Sequence, residues 1–356
     1  MDTGIRPEGL RCESFASYKI CKDESDPGEM SHGTLCARVL DSLADAYELV
    51  SIQILPNQSR GESKSLGLIE HFREGLKLCL ELKADLVCMS AVSSVLSDSV
   101  YLYDITERLA GQSVLLAALD NRRFLTIPTA YPFVLGVQSD YGNVLSPGEL
   151  AYCREDPYFA NVYANCGIGL LRQLRCAPSN SFAVPVAAAK VNHWINGKQD
   201  VREAIESLRA YPRQREGKIP VPEWKQDSGR EVPLVWMRGR DMGWVYEVCR
   251  SVMDELYRRH QIQTSGLVSG MFGYDVRLRR LTAGEDLRRA LLFMERHYKT
   301  DLIFLLAEQG QSEEGGTDAD VTVLVSGGRA EVAYEGQCVE CSAETLAEEI
   351  YLAFGP

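Results

Sequence analysis

No apolar run in this chain reaches the ~18 residues that a membrane span needs, and no basic, apolar, small-residue leader opens it. The expectation is a soluble cytoplasmic protein without a membrane partner. Basic side chains are not in excess either: 38 Lys and Arg stand against 50 Asp and Glu, a formal net charge of −12. That balance argues against a nucleic-acid partner held by phosphate neutralisation, because both surfaces would be anionic. A metal-ligand signature is missing too. Cys338 and Cys341 form one CxxC, but no second pair or nearby His completes a zinc set, and a hairpin carrying two small apolar residues explains it as well. No internal repeat or low-complexity tract occurs. The 11 cysteines are odd in number and several lie inside apolar runs. They read as buried thiols in a reducing compartment rather than as a disulfide framework.

What is present is ordinary globular material: 356 residues, 45% hydrophobic and 25% charged. That composition excludes a disordered or fibrous chain, and the length suggests two domains. Ile69, Phe72, Leu76 and Leu80 recur at helical spacing, as do Leu102, Ile105 and Leu109. Apolar strands are expected over 85–89, 114–118 and 133–137, and a helix over 34–49. Helix and strand alternating, with few polar breaks inside the strands, predicts an α/β fold with a parallel sheet covered by helices on both faces. A polar stretch with Pro212, Gly217, Pro220, Pro222 and Gly229 has no hydrophobic period and reads as a linker. The expected domains are therefore 1–210, a linker over 211–230, and a smaller α/β domain over 231–356.

Three short motifs lie in the first domain. The chain opens Met1-Asp2-Thr3-Gly4-Ile5, continues to Ser31-His32-Gly33-Thr34, and much later reaches Ser179-Asn180-Ser181-Phe182-Ala183-Val184-Pro185. A serine hydroxyl is a poor nucleophile at neutral pH and needs a base beside it. An imidazole can take that proton and return it to a leaving amine, and a carboxylate can hold the imidazole in the useful tautomer. Pro185 is expected in the first turn of a helix that starts near Ser181, where a missing N–H costs little. Ser181 would then sit where backbone N–H groups and the helix dipole favour a developing oxyanion.

Asp-Thr-Gly, His-Gly-Thr and Ser-x-Ala-x-Pro, in that order, resemble the signature blocks of the subtilases, the subtilisin-like serine proteases, over residues 1 to about 195. The segments between the blocks are similar as well. Ala84 to Ser90 looks like the substrate-lining strand, Val114 to Asn121 like the strand that delivers an oxyanion asparagine, and Tyr131 to Val137 like the strand after it. The resemblance implies a subtilisin-like fold and an acyl-enzyme formed on Ser181, with His32 as base, Asp2 as its orienting acid and Asn121 as an oxyanion donor. It also implies an extended peptide substrate paired with Ser90, Ala91 and Val92, and no cofactor or metal in the chemistry. Four departures stand out. The sequence opens at Met1-Asp2, where the family places an apolar strand ahead of that Asp. Asp120 precedes Asn121 where the family has Gly, Ser179-Asn180 precede Ser181 in place of Gly-Thr, and Ser90-Ala91-Val92 replaces Ser-Leu-Gly.

Each residue also has an ordinary structural reading. Asp2 can be a frayed terminal acid, His32 a residue leading into a helix, Ser181 a helix cap and Asn121 part of an Asp-Asn turn. Arg122 and Arg123 beside Asn121 can favour acidic substrate residues or simply be surface arginines. His71, His193, His260 and His297 read as structural.

In the second domain, the run from Pro233 to Val245 resembles a phosphate-binding strand, turn and helix. Yet Gly239 and Gly243 are one residue too close, and Trp244-Val245 stands where a Lys and a Ser or Thr belong. Recognition or homo-oligomer formation suits this domain better than nucleotide hydrolysis. The functional expectation is an intracellular serine endopeptidase that matures a partner peptide or leader. The alternatives are an impaired subtilase-fold scaffold that holds a peptide, and a nucleotide-dependent switch in residues 231–356.

Overall fold

A computed structural model describes residues 1–22, 26–56, 65–153, 159–197, 200–210, 230–270, 273–282, 284–306 and 319–355. The expected linker, except Arg230, lies outside the described residues. The chain divides into two compact units, Met1–Ser94 with Asp98–Trp224, and Val95–Ser97 with Lys225–Pro356. Both are mixed α/β. Among the described residues no helix is long and apolar enough to cross a membrane.

The first unit runs β1 (Ser14–Lys19), α1 (His32–Leu43), β2 (Glu48–Gln53), α2 (Ser65–Glu81), β3 (Leu86–Met89), α3 (Ser99–Ala110), β4 (Val114–Ala118), β5 (Leu135–Ser139), β6 (Leu150–Tyr152), β7 (Ala160–Ala164), α4 (Gly169–Gln173), α5 (Asn180–Asn196) and α6 (Val201–Ala210). The expected helix over 34–49 is corrected. It ends at Leu43, where Ala44 turns to an extended conformation, and the β-branched Val50, Ile52 and Ile54 then build β2 and its continuation. The strand expected at 133–137 begins two residues later, and β1, β6 and β7 had no clear signal in the sequence. The single sheet expected here is in two pieces. β1 and β2 form a parallel pair, and a second sheet has the order β3-β4-β5-β7-β6, parallel except for β6.

The core of this unit gathers on α5. Ala183, Val184, Ala187, Ala188 and Val191 are fully buried against Val114 and Leu116 of β4, Val137 of β5 and Val162 of β7. A helix apolar on nearly every face belongs inside a domain, and the helix that carries Ser181 has ten of its seventeen residues buried.

The second unit has a single sheet of order β10-β9-β11-β8-β12-β13-β14. Its strands are β8 (Leu234–Gly239), β9 (Thr264–Val268), β10 (Leu278–Arg280), β11 (Leu302–Leu306), β12 (Val321–Ser326), β13 (Arg329–Tyr334) and β14 (Gln337–Ser342), and its helices are α7 (Met242–His260), α8 (Leu287–His297) and α9 (Leu346–Ala353). The resemblance to a phosphate loop ends at the start of α7, where the Asp241 carboxylate accepts from Trp244 N at 3.2 Å. An anion already occupies the position that a phosphate would take.

Candidate active site

Asp2 is firmly anchored. Its N–H donates to Ile52 O at 3.2 Å and its C=O accepts from Ile54 N at 2.9 Å, a parallel bridge to Gln53. The following residues tie it to the start of α1. Gly33 N donates to Thr3 Oγ1 at 3.1 Å, and Arg6 N donates to Thr34 Oγ1 at 2.9 Å. A side chain on Gly33 would collide with the Gly4 carbonyl, and Gly4 itself has φ +86°. Both glycines are therefore set by this close approach.

The approach brings an acid to an imidazole. His32 opens α1, behind the Ser31 cap. The buried Asp2 carboxylate lies 2.8 Å (Oδ2) and 3.0 Å (Oδ1) from His32 Nδ1 and accepts from Thr3 N at 2.6 Å. Burial pushes the Asp2 carboxyl up, but the His32 hydrogen bond and charge and the Thr3 amide outweigh it and hold it below its ordinary value. It is therefore ionised and accepts only, which puts the proton on Nδ1 and leaves Nε2 as the basic nitrogen. The hydrogen bond to Asp2, with a smaller contribution from Cys36 and against the effect of burial, raises His32 above its ordinary value.

Ser181 is the second residue of α5, behind the Ser179 cap, whose Oγ accepts from Phe182 N. Pro185 is corrected from the first turn to the sixth helical position. Its missing N–H deprives Ser181 O, one turn back, of the usual helical donor. The Cys36 thiol stands in, with Sγ 3.6 Å from Ser181 O, 3.8 Å from Ser90 Oγ and 3.9 Å from His32 Nδ1. The Phe182 ring stacks on the His32 ring at 5.6 Å. Ser181 is thus held in the neighbourhood of His32, while among the described residues its Oγ and its N–H make no hydrogen bond, to His32 or otherwise.

Asn121 stands at the same helix start. Its Oδ1 accepts from Asn180 N at 3.2 Å and from Tyr141 OH at 3.1 Å. A backbone N–H can only donate, so the oxygen end of the amide is fixed and the NH2 end is available. Asn180 is buried and saturated. Its Oδ1 accepts from Ser139 N at 2.9 Å, and its Nδ2 donates to Leu119 O at 3.0 Å and to Asp120 O at 3.4 Å. The Asp120-Asn121 turn closes on itself through Arg122 N to Asp120 Oδ1 at 2.7 Å.

Ser90, Ala91 and Val92 leave β3 half-buried. Ser93 then pairs with Ile127 through two 2.9 Å bonds, and the main-chain groups of Ala91 and Val92 bond to no described residue. The other histidines serve elsewhere: His193 pairs with Asp45 at 2.6 Å, and His260 pairs with Glu348 at 3.1 Å and stacks on Tyr351.

Asp2, His32 and Cys36 offer ligand atoms within 4.8 Å of one another. Burial pushes the Cys36 thiol up, so the thiolate that a soft metal or a thiol nucleophile requires is disfavoured. The sequence reading missed Cys36, Tyr141, Asn180 and Phe182. One signal was there, since Cys36 follows His32 by four residues and so shares its helix face.

No protein-family model matches the chain, and no curated protein matches it. Among solved structures it is similar to the prenylagaramide maturation protease PagA, with a TM-score of 0.37 and 12% identity over 56% of this chain and 78% of that one. At that score the likeness decides nothing about function.

Proposed function

We propose that the first unit is a serine endopeptidase of the subtilase type that matures a partner peptide or leader. The observation that carries this reading is the His32–Asp2 pair, with its protonated Nδ1 and basic Nε2, set beside the capped helix start that holds Ser181. In this mechanism a substrate strand lies along Ala91 and Val92, whose open main-chain groups supply the pairing. His32 Nε2 takes the Ser181 proton as Oγ attacks the scissile carbonyl. The oxyanion that forms meets the Ser181 N–H and the Asn121 NH2. The imidazolium, steadied by Asp2, then protonates the leaving amine, and water releases the acyl group by the same steps. Neither a metal nor a cofactor enters.

The test is incubation of the full chain with a library of short peptides, read by mass spectrometry. Cleavage within a narrow set of sequences, lost in Ser181→Ala and in His32→Ala, is expected. Cleavage that survives both substitutions would overturn the mechanism. A second reading, a scaffold that holds a peptide without cutting it, is favoured by one observation, the absence of a direct His32–Ser181 hydrogen bond. Peptide binding by calorimetry with no product after prolonged incubation would select it.

A further inference from the structure

The two ends of a carboxamide have nearly the same shape and opposite effects on an oxyanion. The NH2 end stabilises it and the C=O end repels it. Asn121 stands on an exposed turn, so the useful end faces the reaction only if its partners hold it there. Two of them do. Asn180 N lies 3.2 Å and Tyr141 OH 3.1 Å from Asn121 Oδ1. Asn180 N–H can only donate, so it sets which end is the oxygen. Asn180 Nδ2, bonded to Leu119 O and Asp120 O, keeps the turn in register with α5. One donor still leaves the amide free to swing about that bond, and a second donor from another element fixes its plane.

Tyr141 supplies that second donor from a turn after β5 that is itself well tied. Asp140 is buried, its N–H donates to Ala164 O at 3.0 Å, and its Oδ2 accepts from Leu145 N at 2.7 Å. Tyr141 N donates to Ser139 O at 2.9 Å, and Asn143 N donates to Asp140 O at 3.1 Å. The Tyr141 side chain is half-exposed, and a surface tyrosine can give its hydroxyl proton to water. This one gives it to Asn121, across 20 positions. Burial of the phenol, with the Cys166 thiol adding and Asn180 N–H and Arg123 opposing, pushes its pKa above the ordinary value. The hydroxyl therefore keeps the proton that makes it a donor.

We propose that Tyr141 is a positioning residue for acyl transfer: its O–H fixes the plane of the Asn121 carboxamide, so that Nδ2 is turned to the oxyanion before a substrate arrives. This inference rests on the serine-protease reading and adds to it a residue outside the set Asp2, His32, Ser181 and Asn121. Tyr141 acts through Asn121. A donor set in place beforehand costs no reorganisation when charge develops. Its effect therefore belongs to the transition state and not to ground-state peptide binding.

The test compares the full chain with Tyr141→Phe, Asn121→Ala and the double variant. Peptide cleavage gives kcat and KM. Inhibition by a peptide aldehyde, whose adduct with a serine carries its oxygen in the oxyanion position, reports the donors directly. Tyr141→Phe is expected to lower kcat and to weaken the aldehyde by about 3–10-fold each, the worth of one neutral hydrogen bond, with KM and Tm unchanged. In the Asn121→Ala background the same substitution is expected to change none of these, since no amide is left to position. Equal losses in both backgrounds, a loss confined to KM, or full activity in Tyr141→Phe overturns the proposal. Any of those results alongside a fluorophosphonate adduct on wild-type Ser181 leaves the protease reading standing. No adduct and no cleavage by the wild-type chain removes that reading and the proposal with it.

Discussion

The two units solve one packing problem differently. In the second, β8 sits between β11 and β12 and pairs with both, and Val235 and Met237 of β8, Phe304 of β11 and Val323 of β12 are fully buried. In the first, the strands divide into the pair β1-β2 and the sheet β3-β4-β5-β7-β6, and the opening dipeptide bonds to both, Met1 to Cys88 of β3 and Asp2 to Ile52 of β2. In the second unit, continuous main-chain pairing does not satisfy every side chain, since Trp236 Nε1, Arg238 Nε, Thr264 Oγ1 and Ser265 Oγ are buried with no hydrogen-bond partner among the described residues. The interrupted sheet leaves room for a cavity, a buried carboxylate and a helix start with free donors.

Substitutions in each unit can break or sharpen that contrast. The largest expected effect is in the second unit. Phe304→Ala should cost about 3–5 kcal/mol, a transfer and cavity loss at a fully buried side chain. Denaturant melts read by hydrogen exchange should show it there, with the reactivity of Ser181 retained. In the first unit, Asn121→Ala should lower turnover about 10²–10³-fold with little change in KM, because it removes a donor used only in the transition state. Asn180→Ala should destabilise the first unit by about 1–3 kcal/mol, since Ser139 N then loses its acceptor in a buried setting. Chemical denaturation resolves that loss.

The smallest effect is in pH dependence. His32 must be neutral to accept the Ser181 proton, and Asp2 raises its pKa. The rate should therefore increase with pH, with a midpoint above the ordinary His value of about 6.5. Asp2→Asn should move that midpoint down. The same shifts enter stability. The pair stabilises the fold fully below the ordinary His range and above the ordinary Asp range. That contribution fades as pH rises through the raised His32 value or falls through the lowered Asp2 value.

Much of the fold was legible in the residues. Val114–Ala118 is an unbroken apolar run and is a strand to the residue, and the helix over Leu102, Ile105 and Leu109 follows its period. Legibility failed where tertiary pairing overrides local preference. Ser14–Lys19 is a strand with five of its six residues exposed, so no apolar alternation marks it. In the 34–49 segment apolar residues continue past Leu43 with Ala44, Ala46, Tyr47 and Leu49, and only the pairing with β1 decides that Glu48 and Leu49 are extended. At the site, Asp2, His32, Asn121 and Ser181 could be named from their flanking residues. The supports could not. Tyr141 reaches Asn121 across 20 positions and Asn180 reaches Leu119 across 61, and no spacing rule connects residues so far apart. The Cys36 link to Ser181 O exists because Pro185 vacates that carbonyl, which requires knowing where α5 begins.

The most direct measurement is reaction of the full chain with a fluorophosphonate probe, followed by peptide mapping of the adduct. The account predicts one modified residue, Ser181, with modification lost in Ser181→Ala and strongly slowed in His32→Ala. No adduct on the wild-type chain, or an adduct elsewhere that persists in Ser181→Ala, would contradict it.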